Sequence, residues 1–321
     1  MEKRPLGTTG LELSVIGLGT WAIGGPGWRY GWGPQDEGES EECIREAIDL
    51  GINWIDTAPV YGNGLSETVV GRAIRGSRDK VFIATKCGLL LDVRGEPYGN
   101  LGAKSIFAEA ERSLRRLQID AIDLYQIHWP SPAHQIDEAF EALLSLKEQG
   151  KIKHAAVCNF SRIQLEKIAT QGEVASLQSQ YNLINRKVEI DILPWCREQN
   201  AGFLAYGPLL MGLLTGKFDS TRAAALDNQD WRKHSSEYFS EPGLSRVLNY
   251  VAELQAALNL NERGVPLTAI SLQWLIHQPG VTAAIVGARR RGQITECVKA
   301  LNYLLSSGDL KAATDLEAPK I

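Results

Sequence analysis

The stretch Asn53-Trp-Ile-Asp-Thr-Ala-Pro-Val-Tyr61 decides how the chain folds. Gly51-Ile-Asn-Trp-Ile55 is an apolar run that reads as a short buried strand ending at Asp56, and Pro59 and Gly62 force a loop after it. An acid therefore stands at a strand's C-terminal end, with Tyr61 in the loop that follows. The pattern returns twice: the strand Val81–Lys86 ends on a lysine, and Ile122–His128 ends on a histidine. If these strands run parallel in one barrel, Asp56, Tyr61, Lys86 and His128 converge. Such a set delivers a proton to a carbonyl.

On either side of that stretch, strand and helix patterns alternate. Residues 4–19 read as two extended segments around a Thr9-Gly10 turn, followed by Leu13-Ser-Val-Ile-Gly17. Helical periodicity runs over 39–50, 66–75 (with Ser66 as N-cap), 105–117, 135–149, 162–170 (with Ser161 as cap), 189–199, 266–277 and 292–304. Strands lie between them at 52–56, 81–86, 122–128, 154–158, 175–180, 202–206 and 282–286, with a Gly-rich loop at 94–102. The rhythm breaks over about 207–280, where an extra helix falls near 243–260. The pattern predicts one domain over residues 1–321. Its class is α/β, a (β/α)8 TIM barrel with an N-terminal β-hairpin and an extra helix in the connection between strands 7 and 8. An open doubly wound sheet is disfavoured, because polar residues recur at the C-terminal ends of strands two through seven and not at one crevice. Gly17-Leu-Gly-Thr-Trp-Ala22 imitates a dinucleotide fingerprint, but it runs into Gly24-Gly-Pro-Gly27 where a helix would have to open.

Composition narrows the function classes. The chain of 321 residues is 44% hydrophobic with a formal charge of -4, which gives no electrostatic reason to expect nucleic acid. The five cysteines form no Cys-x-x-Cys pair, which argues against a zinc site and fits a reducing cytoplasm. No apolar run approaches a membrane span, and no apolar leader opens the chain. No apolar stripe is left over to indicate an oligomeric state.

Each candidate residue has a bland reading when taken alone. Asp56 suits a turn, Lys86 a strand end at the surface, Tyr61 a packed loop, and His128 a satisfied core position. Together they gain force. A buried lysine needs a carboxylate, which Asp56 supplies. A nearby ammonium favours phenolate and lowers the pKa of Tyr61. His128 is placed to donate a hydrogen bond to a carbonyl oxygen. The chain has no metal-ligand spacing and no Gly-x-Ser-x-Gly elbow, so a proton donor here suggests carbonyl reduction with hydride from a cofactor. Val286-Gly-Ala-Arg-Arg-Arg-Gly-Gln293 combines a Gly turn, arginines and a helix start, which makes an anion site.

These motifs resemble the aldo-keto reductase family over nearly the whole chain. The carrying segments are Gly17-Leu-Gly-Thr, Asp56-Thr-Ala-x-x-Tyr61-Gly, Ser66-Glu67, Thr85-Lys86, Leu124-x-x-x-His128 and Ala156-Val-Cys-Asn-Phe160. Gln178-Ser-Gln-Tyr-Asn182, Ala205-Tyr-Gly-Pro-Leu209 and Gly212-Leu-Leu-Thr-Gly-Lys217 match as well. The flavour is that of the bacterial and plant branch near the potassium-channel beta subunits. The resemblance implies NADPH/NADP+ bound in extended form, a small-molecule carbonyl substrate, and a catalytic set of Asp56, Tyr61, Lys86 and His128 with Tyr61 as proton donor. It puts Gly19, Thr20, Trp21 and Asp56 against the cofactor. Cys158, Asn159 and Gln180 match the carboxamide positions, and Tyr206 the ring that stacks on nicotinamide, with Gly207, Pro208 and Leu209 following. Gly212, Leu213 and Lys217 fall beside the pyrophosphate. Gly287, Ala288, Arg289, Gln293, Glu296 and Cys297 fall at the adenosine end, Arg289 and Gln293 with the 2′-phosphate. Two residues depart from the family pattern: Cys158 stands for a usual serine and Cys297 for a usual asparagine. Trp21, Trp28, Tyr30, Trp32 and Trp129 are expected to wall the substrate pocket, with the segment Trp231–Phe239 closing it from another side and Arg29 and Arg232 as the arginines within reach. Two other readings compete. One is a regulatory NADPH-binding subunit with little turnover. The other is a Schiff-base enzyme using Lys86 as nucleophile.

Overall fold

Why the barrel closes around this sequence is visible at Gly17. A Cβ there would lie 2.1 Å from Trp54 Cε2, so only glycine lets the indole fill the barrel interior. Trp54 Nε1 donates to Ser14 O at 2.9 Å, which fixes the ring against the chain entering the first strand. The Gly17-x-Gly19 pair therefore serves packing.

A computed structural model describes residues 1–321. Its barrel strands are β1 (Ile16–Gly19), β2 (Trp54–Asp56), β3 (Phe82–Cys87), β4 (Ile122–Ile127), β5 (Ile152–Cys158), β6 (Ser176–Gln180), β7 (Gly202–Tyr206) and β8 (Ala283–Gly287). They pair in parallel in chain order, and β8 closes on β1 through Ala284–Ile16 to Gly287–Gly19. Helices pack outside: α1 (Glu37–Asp49), α2 (Leu65–Ala73), α3 (Ala103–Leu117), α4 (Ile136–Glu148), α5 (Arg162–Ala169), α6 (Ile192–Glu198), α7 (Gly243–Ala257), α8 (Leu267–Ile276), α9 (Gln293–Ala300) and α10 (Ser307–Asp315). The hairpin Lys3–Pro5 with Glu12–Ser14 brings Leu6 and Leu13 into the cluster that holds Trp54, Ala84, Leu124 and Leu204. It plugs the N-terminal mouth of the barrel and leaves the C-terminal mouth for chemistry.

The barrel and its extra connection match the sequence expectation. Local details differ. Ser66 is not a cap: Gly64 (φ 93°) occupies that place, and Ser66 is buried one residue inside α2, bonded to Thr20 and Thr57. Ser161 does cap α5, in a reciprocal box with Gln164. The loop expected at 94–102 carries a strand, Pro97–Gly99, paired with Leu89–Leu91. The helix α10 has only Ala313 buried, so it carries no apolar stripe by which periodicity predicts a helix there. No helix is long and apolar enough to cross a membrane.

Candidate active site

Strand alternation sorts the interior into layers. Ala84 and Lys86, Leu124 and Gln126, and Ala156 and Cys158 point inward two residues apart. The first of each pair is apolar and sits in the cluster with Trp54. The second lies one step toward the C-terminal mouth, level with Asp56 and Gln178. All five of these polar residues are buried, and Lys86 is fully so.

Within this polar layer Lys86 Nζ donates to Asp56 Oδ2 at 2.7 Å, to Thr57 O at 2.9 Å and to the Tyr61 hydroxyl oxygen at 3.2 Å. These contacts use all three ammonium hydrogens. The other carboxylate oxygen of Asp56 accepts from Gln178 Nε2 at 2.8 Å and from Gln126 Nε2 at 3.4 Å. Gln178 also donates to Gln126 Oε1 at 3.3 Å. Sequence reasoning gave Gln126 and Gln178 no role. Gln126 follows inward Leu124 by two residues, whereas Gln178 follows Ser176, so strand alternation marks only the first.

Electrostatics follow from burial. Desolvation pushes Lys86 down, but Asp56 and then Tyr61 outweigh it, and the ammonium is held above its ordinary value. Burial pushes the Tyr61 phenol up to about 12, and Lys86 offsets only part of this. The expected net lowering of the Tyr61 pKa is thus not what the structure gives, because the desolvation of a fully enclosed phenolate exceeds the pull of one ammonium. His128 is driven well below 6.5, first by burial and then by repulsion from Lys86, so its ring is neutral. Its ring centre lies 5.9 Å from that of Tyr61, edge to face.

The next layer outward carries two side-chain amides, Asn159 and Gln180. Asn159 follows β5 with φ +62°, a left-handed turn that asparagine tolerates. Strand alternation alone would point it away from the interior. Turned back, its Nδ2 donates to His128 O at 3.1 Å and its Oδ1 accepts from the Tyr206 hydroxyl at 3.1 Å. Gln180 Oε1 accepts from Asn185 at 3.0 Å, which leaves its own N–H groups free. Cys158 faces inward instead, with Sγ 3.5 Å from Gln126 Oε1, so its thiol belongs to the layer beneath.

From Tyr206 the chain enters a run of positive φ at Gly207, Leu210, Met211 and Gly212, and reaches Lys217. Successive left-handed residues of this kind form anion-holding concavities and concentrate at ligand clamps. Across the groove, Lys217 is ion-paired with Glu296 on α9. Gly19 and Gly287 lie side by side where β1 meets β8, and a Cβ on Gly287 would meet nothing closer than Gly19 O at 4.0 Å. Thr20 is tied by its hydroxyl to Asp56 O at 3.0 Å. Ala288 and Cys297 are buried in the core beneath, and burial pushes the Cys297 thiol up to about 12. Pro208 is buried and Leu209 half-buried along this segment, and Leu213 is fully buried in the main core. An amide pair, an aromatic ring and a backbone run of positive φ are chemically suited to a nicotinamide dinucleotide.

The basic turn itself is occupied. Arg289 Nη1 donates to Trp32 O at 2.8 Å, Nη2 to Pro34 O at 2.6 Å, and Nε to Gln35 Oε1 at 2.8 Å. Gln293 Oε1 accepts from the backbone of Arg289 and Arg290. Glu46 of α1 accepts from Gly292 N at 2.9 Å and from Thr295 Oγ1, so a carboxylate already caps α9.

Of the expected pocket residues, Trp21, Trp28, Tyr30 and Trp32 gather beside Tyr61. Trp28 lies 6.1 Å from the Tyr61 ring centre, and Trp21 lies 5.4 Å from Trp32. Trp231 from the β7–β8 connection joins them, 5.1 Å from Trp21, its backbone N–H bonded to Gly31 O. Arg232 locks this arch. Its guanidinium stacks 4.3 Å over Trp32, pairs with buried Asp230 and donates to Met211 O. Trp129 takes no part in these ring contacts and is 43% exposed. The indole N–H groups of Trp28, Trp32 and Trp231 are buried without an acceptor.

Barrel, polar layer and cradle together define the class of protein to which the chain belongs. The Aldo/keto reductase family model matches residues 15–318, and the chain belongs to that family. Among its relatives, the aldo-keto reductase YhdN of Bacillus subtilis (strain 168) is 39% identical, over 97% of this chain and 92% of its own. The NADH-specific methylglyoxal reductase of Escherichia coli (strain K12) is 35% identical, over 96% of each chain. The structure of a glycerol dehydrogenase from Gluconobacter oxydans superposes with a TM-score of 0.85 at 36% identity, covering 98% of this chain and 94% of the other.

Proposed function

We propose that this oxidoreductase, as one domain over residues 1–321, reduces small carbonyl compounds to alcohols, or runs the reverse on sugars and polyols, with Tyr61 as proton donor. The carrying observation is the triple engagement of Lys86. Because the ammonium donates to the phenol oxygen, the phenol's own proton is left to point at a substrate oxygen. His128, neutral, adds a second donor to that oxygen. Bound reduced nicotinamide supplies the hydride. Asn159 and Gln180 hold its carboxamide, and Tyr206 presents the ring face. The Schiff-base reading loses ground, since a nucleophilic lysine must shed its proton and Lys86 is held charged.

The substrate reading rests on the unpartnered indole N–H groups. Buried donors without acceptors favour a ligand that brings oxygens, and reject one that lacks them. We therefore favour carbonyls bearing an oxygen on the adjacent carbon. Methylglyoxal, for which one relative is named, is such a carbonyl, and glycerol, for which another is named, is the reduced form of one. The five unpaired, buried cysteines suit a cytoplasmic enzyme.

For the cofactor, the turn Arg289-Arg-Arg291 supports NADPH. A specific observation favours NADH as a second reading: Arg289 is spent on the Trp32–Gln35 loop, and Glu46 stands where a phosphate would meet α9. Titration of the protein with each cofactor, followed by turnover on a panel of 2-oxo aldehydes, hydroxyaldehydes and plain alkanals, tests all three parts. Binding of neither cofactor removes the proposal.

A further inference from the structure

We propose that a second ligand site, separate from the barrel mouth, lies behind the loop that carries Tyr61 and takes a small carboxylate with an apolar body. The place is a cleft of about 200 Å³ between that loop, the hairpin Leu89–Leu91/Pro97–Gly99 and helix α3. Val60 and the three leucines 89, 90 and 91 give it an apolar wall, and Arg112 and Arg116 give it charge.

The two arginines lie one turn apart on α3 and differ in partners. Arg116 donates to the buried Glu67 carboxylate at 2.7 Å, so its charge is met. Arg112 is half-buried and has no hydrogen-bond or ion-pair partner. Nearby carboxylates are committed elsewhere: Glu109 to Gly88 N and Ser105, and Glu111 to Lys151. One guanidinium with free donors above three half-buried leucines is complementary to a carboxylate head on a short hydrocarbon body.

The cleft abuts the acid's own loop. Val60 packs in one cluster with Tyr61, Leu89 and Leu91, and the loop turns through positive φ at Gly62, Asn63 and Gly64. A ligand that spreads Val60 from the leucines moves Tyr61 relative to Lys86, and so changes turnover without competing with the carbonyl.

The probe is hexanoate, with 1-hexanol as the neutral control, titrated calorimetrically into the full-length protein and its variants. Carboxylates also suit the barrel mouth, so the variants must separate the two places. The site predicts hexanoate binding that weakens about tenfold or more in Arg112→Gln, as expected for loss of a charge-assisted hydrogen bond. It predicts partial recovery in Arg112→Lys, no change in Tyr61→Phe, and inhibition of the wild type that is not competitive with the carbonyl. Failure to bind hexanoate, binding unaffected by Arg112→Gln, or binding abolished by Tyr61→Phe overturns it. The proposal stands whether or not the reductase reading holds, because calorimetry needs no turnover.

Discussion

Lys86 Nζ lies 3.2 Å from the hydroxyl oxygen of Tyr61 and donates to it. That direction matters more than the distance. A phenol that accepts from lysine keeps its proton for another acceptor, and burial holds the group at about 12, protonated across the physiological range. Tyr61 is therefore an acid in waiting, and the hydride donor decides when the proton leaves.

The neutral ring of His128 makes stability depend on pH. Its folded pKa lies well below the 6.5 of a free histidine. Between the two values the unfolded chain binds more protons, so stability rises with pH. The contribution is complete above about pH 6.5 and is lost as pH falls toward the folded pKa, at up to about 1.4 kcal/mol per pH unit. Denaturant unfolding between about pH 7 and pH 5 should show a shallower loss for His128→Gln than for the wild type. Equal slopes would mean His128 is not held neutral.

Asp56→Asn leaves Lys86 buried without its counter-charge. Removal of one partner from such a pair costs about 3–5 kcal/mol. Gln126 and Gln178 would then face a neutral amide in place of the carboxylate they now donate to. A clear fall in thermal midpoint is expected, and Asp56→Asn combined with Lys86→Met should recover part of it. An unchanged midpoint for the single variant would show that the interior is wet.

Arg289→Ala separates the two cofactor readings. If Arg289 leaves Trp32 and Pro34 to grip a 2′-phosphate, the variant weakens NADPH by about tenfold or more while NADH changes little. If it only ties the loop, both cofactors weaken together. Titration of each cofactor against wild type and variant reads the difference directly.

Trp28→Phe keeps the ring beside Tyr61 and removes an unpartnered N–H. Turnover on hydroxyaldehydes and 2-oxo aldehydes should fall by about tenfold relative to plain alkanals of the same length. An equal effect on both classes would make the indole packing alone.

Much of the fold was legible because period-two strands and capped helices alternate along the chain. Gly17, Trp54 and the strand ends at Asp56, Lys86 and His128 carry that signal. What stayed hidden depends on three-dimensional closure. Gln126 and Gln178 sit inside separate strands, and only a closed barrel brings both to Asp56. The segment Trp231–Phe239 reads as a pocket wall from its aromatic residues, but a long irregular connection with no periodicity does not tell that Trp231 packs on Trp21 and that Arg232 stacks over Trp32. The Tyr61 pKa reversed in sign for a related reason: sequence names the neighbouring ammonium but not the depth of burial.

The most direct test is the oxidation of reduced nicotinamide cofactor by wild type and Tyr61→Phe, each saturated with the cofactor it binds, on a 2-oxo aldehyde. A lost general acid predicts a fall in kcat of about 10²–10⁴-fold with cofactor affinity unchanged. Near-normal turnover in Tyr61→Phe would contradict the assignment of Tyr61 as the acid.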